Sequence, residues 1–249
     1  MQLSLVSYYG EKPESLRRLI LSLQQQLSRD LGEAFRPYAL EQVHGTITGI
    51  ETAVEGGEIY SKWYTENRGR KVPIDLEGLT AYLQSQLPNP KIRIGGYRPE
   101  EDYGFTSRGQ HPFLRSFSIQ GNIAVAMGWP VAFTENGPAY NMDLFALRTA
   151  FERFHLCHKW NRDDYQDNDF FFVLGKLNNA ELEPAELENI VQSIRQLLAT
   201  QQGLITLVPE SLSVVAYTDT ELPLESTQVF PVTDPDLDLD LRQILISVE

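Results

Sequence analysis

Two periods of apolar and polar alternation organise this chain. Residues 2–9 alternate with a period of two and stop at Gly10, which predicts a strand. Pro13-Glu14-Ser15 then opens a helix over 14–29, and Leu16, Leu19, Ile20, Leu23 and Leu27 give it one apolar stripe. A turn containing Gly32 and Pro37 leads into a strand, Val43–Ile50, so the first fifty residues read β-α-β. Residues 51–73 are polar and read as irregular. Leu76, Leu79, Leu83 and Leu87 mark a second amphipathic helix, closed by Pro88 and Pro90. Lys91–Tyr97 predicts a strand, 98–112 a loop, and Phe113–Trp129 a strand or a hairpin turning near Gly121-Asn122.

Thr134–Tyr140 is rich in turn residues and reads as a junction between halves. Beyond it, Leu144, Leu147, Phe151 and Phe154 predict a helix, followed by the polar stretch Asn161–Asp169. The apolar run Phe170–Leu177 has the length of a buried strand. Leu187, Ile190, Val191, Ile194, Leu197 and Leu198 predict another helix, and Leu204–Val208, Ser213–Tyr217 and Thr227–Val232 three strands. The tail Asp234–Asp240 alternates acid and leucine and reads as an edge strand or loose end. The expected fold is α+β, a single bilobal domain with two similar lobes near 1–135 and 136–249. Each lobe is expected to be an antiparallel sheet covered by helices.

Composition narrows the function classes. The 249 residues are 42% hydrophobic and 22% charged, enough to bury a sizeable core. A formal net charge of -13 argues against non-specific binding to nucleic-acid backbones, which needs clustered Lys and Arg. It leaves room for one small anion in a local pocket. The single cysteine, Cys157, allows no internal disulfide and reads as a buried small hydrophobe, pointing to a reducing, cytoplasmic home. The N-terminus has neither the basic start nor the apolar run of a signal peptide, and no segment has the length of a membrane span.

The candidate chemistry is His44-Gly45-Thr46. On a strand, His44, Thr46 and Thr48 share one face. Histidine moves protons near neutral pH, and a hydroxyl two residues away can donate to an anionic oxygen. A strand and a helix followed by a strand bearing His-x-Thr resemble the 2H-phosphoesterase superfamily, which includes the RNA-ligase-like cyclic phosphodiesterases. The resemblance implies a central cleft with one His-x-Thr/Ser motif from each lobe. One histidine would be general base and the other general acid on a cyclic or 2′-5′ phosphodiester, with the hydroxyls holding phosphate oxygens.

The second motif departs from that pattern. Phe171-Phe172-Val173-Leu174-Gly175-Lys176-Leu177 matches only the tail of the family's His-x-Thr/Ser-Leu-Gly-Arg-Leu, with Phe171 in the histidine position and Val173 in the hydroxyl position. An alternative alignment on Ser211-Leu212-Ser213 also lacks histidine. Catalytic roles are therefore expected for His44 and Thr46, and ligand contacts for Thr48, Tyr8 and Phe171, with Tyr9 also near the site. The ligand is expected to be a small phosphodiester or nucleotide, with no cofactor. The alternatives are an inactive binding module of the same fold, recognising a nucleotide, a phosphorylated metabolite or a protein, and an acidic interaction protein with a structural His44.

Other polar residues offer weaker candidates. His111 sits in a Gly-rich loop, and His155 and His158 sit at a helix end where a cation complements the dipole. His155, His158 and Asp163 or Asp164 are loosely spaced for a metal, and Asp163, Asp164, Asp167 and Asp169 lack the glycine and terminal glutamate of an EF-hand loop. That run reads as a solvated loop, and no metal is expected. Arg68, Arg70 and Lys71, and Arg93, Arg98 and Arg108, make short basic patches that could neutralise a phosphate.

Overall fold

The structure is a computed structural model that describes residues 1–135, 137–162, 165–178 and 183–247. Asp163 and Asp164, named above as metal candidates, lie outside the described residues. In chain order the elements are β1 (Gln2–Ser7), α1 (Glu14–Leu31), β2 (Phe35–Pro37), β3 (Gly45–Gly49), β4 (Thr52–Glu55), β5 (Glu58–Ser61), α2 (Lys62–Arg68) and α3 (Leu76–Ser85). Then follow β6 (Lys91–Gly95), α4 (Pro112–Arg115), β7 (Phe117–Gln120), β8 (Ile123–Thr134), β9 (Gly137–Tyr140) and α5 (Asp143–Ala150). The chain ends through β10 (Phe170–Leu177), α6 (Pro184–Thr200), β11 (Gln202–Thr206), β12 (Leu212–Tyr217), β13 (Gln228–Pro231) and α7 (Leu237–Ser247).

The fold is α+β. Among the described residues, eleven strands join into one sheet whose main path runs β11-β6-β8-β10-β3-β1-β12-β13, with every pairing antiparallel. This differs from the expected pair of sheets. The run meets in the middle, where Phe172 of β10 pairs with Gly45 of β3. Nor does a boundary at 135 divide the sheet: β12 and β13 from the second half flank β1, while β6 and β8 from the first half stand between β11 and β10.

Strand alternation gives the sheet two different faces. Leu3 and Leu5 of β1, Ala124 and Ala126 of β8, Phe170, Phe172 and Leu174 of β10, and Val214 and Ala216 of β12 all enter one large core. The stripes of α1, α3 and α6 cover that face. Each full burial on α1, such as Leu16, Leu23 or Leu27, is of the kind whose truncation to alanine costs about 2–5 kcal/mol. The intervening residues, Val125, Met127, Phe171, Val173 and Tyr217, point to the opposite face and line a cavity.

Several stretches depart from the sequence reading: residues 113–115 belong to helix α4 rather than a strand, and Gly137–Tyr140 is a strand paired with β8 rather than a junction between halves. Residues 52–61 form the β4–β5 hairpin, and 62–68 form α2, capped by the Ser61 hydroxyl accepting from the Tyr64 amide. The tail is a helix, α7, rather than an edge strand. Leu237, Leu241 and Leu245 recur every four residues and bury in the main core, so a helical period was present beneath the acid–leucine alternation.

Candidate functional site

Gly45 explains why the two middle strands can meet. A Cβ there would stand 2.1 Å from the Phe170 ring, so only glycine lets β3 lie against β10. Antiparallel register from the Phe172–Gly45 pair sets Val173 abreast of His44 and Phe171 abreast of Thr46. All four side chains line one cavity of about 560 Å³. The structure thus brings Phe171 to the same groove as His44.

His44 immediately precedes β3. Its Nδ1 lies 2.6 Å from the Gln42 carbonyl oxygen, an acceptor, so Nδ1 carries the proton and donates. That tautomer leaves a lone pair on Nε2, for which the described residues supply no hydrogen-bond partner. Burial holds the His44 pKa below its ordinary value, more than offsetting the bond to Gln42, and the nearby Lys12 charge acts the same way. The imidazole is therefore neutral at neutral pH, a proton acceptor by tautomer and by charge. Tyr9 packs edge-on against it at 5.7 Å between ring centres.

Tyr8 and Thr48 are not on this cavity wall. Tyr8 adopts a left-handed backbone (φ 57°), packs in the main core and donates its hydroxyl to the Thr206 carbonyl. Thr48 is displaced by a β-bulge: Leu5 pairs with Thr48 but Val6 with Thr46, so strict alternation fails at Ile47. Gly49 takes the cavity position instead. The Thr48 hydroxyl is buried beside the Gly49 carbonyl (3.1 Å) and His158 Nδ1 (3.3 Å).

Arg148 and its partners brace this wall, and the sequence reading assigned them no such part. Arg148 of α5 is 1% exposed. Its Nε donates to the Ile47 carbonyl (2.8 Å) and its Nη2 to that of Thr46 (3.3 Å). Its Nη1 donates to the Asp167 carbonyl and lies 3.2 Å from the Asp167 carboxylate. An unpaired charge so deep would cost several kcal/mol, and these contacts compensate it. The signal was there: position 148 falls four after Leu144 and three before Phe151, on the apolar stripe itself.

His158 is not at a dipole-stabilising helix end but in the wall, donating Nε2–H to Asp167 at 3.1 Å. Burial and the Arg148 charge lower its pKa despite Asp167. Burial alone would raise the Asp167 carboxyl, but the His158 bond and Arg148 outweigh it and hold the carboxyl below its usual value. Asp169 accepts from Ser107 and Trp129, both at 2.7 Å, and pairs with Arg115 at 3.2 Å. Asp167 and Asp169 are thus buried struts, against the expectation of a solvated loop.

The remaining candidates lie elsewhere. His111 caps α4, and His155 approaches the Pro73 carbonyl at 2.8 Å. Arg68 pairs with Glu152, Arg93 holds its own loop, and Arg98 meets Glu101. Of those basic patches only Arg108 lines the cavity, with its guanidinium 5.4 Å from the Tyr165 ring centre. Ser211 closes a turn onto Val208. Cys157 is fully buried. Among the described residues no three His, Cys, Asp or Glu side chains are grouped to hold a metal ion, and no helix is long and apolar enough to cross a membrane.

No protein-family model matches the chain, and no curated protein matches it. Similar solved structures include two of low sequence identity. One is a conserved protein of unknown function from Agrobacterium tumefaciens, at 14% identity and a TM-score of 0.47 over 93% of this chain and 85% of that one. The other is a Thermus thermophilus protein, at 12% identity and a TM-score of 0.40 over 94% of this chain and all of that one. Likeness at those levels carries no argument about the site.

Proposed function

We propose that the cavity is a one-histidine phosphodiester site of 2H-phosphoesterase type. A single observation carries the reading: His44 and Thr46 share a cavity wall at the middle of the sheet, with Nε2 of a neutral imidazole left without a partner. His44 is the proton acceptor and Thr46 the donor to a phosphate oxygen. The degenerate motif, Phe171 and Val173, stands abreast of them, where the resemblance calls for the partner motif. Two lobes of one ancestral type, joined edge to edge at β3 and β10, account for the continuous sheet.

The test measures binding and turnover separately. A 2′,3′-cyclic nucleotide or a 2′-5′ dinucleotide at about 100 times its Kd stabilises by about 2.7 kcal/mol, or about 5 to 10 °C in Tm for a chain of this size. His44→Ala loses that shift, and any turnover falls by about 100- to 10,000-fold. Turnover that survives His44→Ala, or an unchanged melting shift, overturns the reading. A second reading, a binding module without catalysis, is favoured by the same Phe171 and Val173. Neither can exchange a proton, and together they make that wall suited to an apolar ring.

A further inference from the structure

A second pocket adjoins the cavity that holds His44. Its volume is about 260 Å³, against about 560 Å³ for the larger one, and Arg108 and Asp169 line both. Whole small-molecule sites run to roughly 300–1,000 Å³, so the smaller pocket suits one part of a ligand rather than all of it. Phe105, Tyr140, Tyr165 and Met142 give it a wall of rings and a thioether, and the exposed side chains of Thr106 and Gln166 add a hydroxyl and an amide. Such a lining suits a flat ring with polar edges, as a nucleobase has. Asp169 lies two residues before Phe171, which stands abreast of Thr46. The junction of the two pockets is therefore at the Thr46 end of the larger cavity, at most roughly 7 Å along the chain from Phe171.

Arg108 is delivered to that junction by a backbone that an arginine does not favour. Ser107 and Gln110 exchange both backbone hydrogen bonds, at 3.0 and 2.9 Å, and close a two-residue turn with φ of 50° at Arg108 and 72° at Gly109. A turn with both central residues left-handed prefers Asn-Gly, and a long side chain in the first place is strained. The surroundings hold the strain. Buried Ser107 donates its hydroxyl to Asp169 at 2.7 Å, and Asp169 also accepts from Trp129 and pairs with Arg115, which offsets its charge. Arg108 donates its Nε–H to the Tyr165 hydroxyl at 3.0 Å, so the terminal nitrogens of the fork are the ends that can pair an oxyanion. Strain kept on a cation between two pockets points to a ligand that spans them.

We propose that the smaller pocket binds the base of a second nucleoside, so that the ligand is a dinucleoside phosphodiester lying across both pockets. This rests on the phosphodiester reading above. The phosphate lies against His44 and Thr46, and Arg108 pairs with one of its anionic oxygens from the junction. The second base rests among Phe105, Tyr140 and Tyr165. The pocket reads the ring and not the sugar linkage, so 2′-5′ and 3′-5′ dinucleotides both use it. A 2′,3′-cyclic nucleotide has one base and occupies the larger cavity alone.

Isothermal titration calorimetry on wild type compares 2′-5′- and 3′-5′-linked diadenosine monophosphate with adenosine 2′,3′-cyclic phosphate. Stacking of the second base is expected to tighten both dinucleotides about tenfold or more over the cyclic nucleotide. Phe105→Leu keeps the pocket apolar but removes a ring, and is expected to abolish most of that advantage. Arg108→Asn gives the turn the residue it prefers, so Tm is expected to hold or rise while affinity for the dinucleotides falls about tenfold. A merely structural arginine would give the reverse, a lower Tm and an unchanged Kd. Equal affinity for dinucleotide and cyclic nucleotide overturns the inference. So does a dinucleotide advantage that survives Phe105→Leu, or an unchanged Kd in Arg108→Asn. In each of these cases binding that is lost in His44→Ala leaves the phosphodiester reading standing. Far-ultraviolet circular dichroism shows whether Phe105→Leu is folded, and the wild-type series and Arg108→Asn decide the matter if it is not. If no phosphodiester binds in a His44-dependent way, both readings fall.

Discussion

The two strands that meet at the middle of the sheet, β3 and β10, are built by different means. On β3 the cavity side chains are His44 and Thr46, and the strand is held from behind by a buried polar network. Arg148 grips the Thr46 and Ile47 carbonyls, and Asp167 ties Arg148 to His158. On β10 the cavity side chains abreast of them are Phe171 and Val173, with Lys176 farther along the strand paired to Glu221, and the two apolar residues pack by contact alone within an aromatic and aliphatic cluster around Tyr97, Val125, Met127 and Trp129. A polar wall needs directional bracing, because each of its groups must find a partner. An apolar wall needs only volume.

The largest effect is expected where the polar bracing is broken. Arg148→Met takes the cation from the buried Asp167 carboxylate, leaving it only neutral partners, and the donor from two strand carbonyls, and is expected to cost about 3–5 kcal/mol in urea unfolding. A loss below 1 kcal/mol would show that the network holds little. Gly45→Ala forces a methyl group into the Phe170 ring and pushes the two strands apart. Overpacking of this kind costs about 1–3 kcal/mol, and the same variant should also lose ligand-dependent stabilisation. Val173→Thr changes the other wall by one hydroxyl at a half-buried position. A partly compensated hydroxyl is expected to cost about 0.5–2 kcal/mol, below Arg148→Met in the same assay, which makes the asymmetry measurable.

The smallest effect is with pH. His44 and His158 both have folded pKa values below those of the unfolded chain, so unfolding takes up protons on the acid side. Their contribution to stability is full above the unfolded value of about 6.5 and is lost as pH falls toward the folded values. Urea midpoints between pH 7 and 5 should therefore decline, less steeply in His44→Gln. A rise over that interval would contradict the neutral state of both rings. Activity that depends on neutral His44 should show its acid limb below pH 6.5.

Much of the architecture was legible as periodicity. The helical stripe from Leu16 to Leu27 and the run Phe170–Leu177 became the elements their patterns indicate. Thr48 was misplaced because a bulge is set by how β1 meets β3, and the β3 segment read alone shows unbroken alternation. Tyr8 was misplaced because its left-handed backbone sends the ring into the core. Helix α7 was masked by a period-two alternation that also satisfied a period of four.

His44-Gly45-Thr46 was a candidate from the sequence alone, since residue type and spacing carry the chemistry of an imidazole beside a hydroxyl. So was its mismatch with Phe171 and Val173, for those residues cannot exchange protons in any fold. Tertiary structure alone decided which side chains surround them. Pairing of β3 with β10 set the two stretches abreast, and the fold carried Arg148, His158, Asp167 and Asp169 behind and beside them. Those contacts join residues about a hundred positions apart, and local periodicity holds no information at that separation.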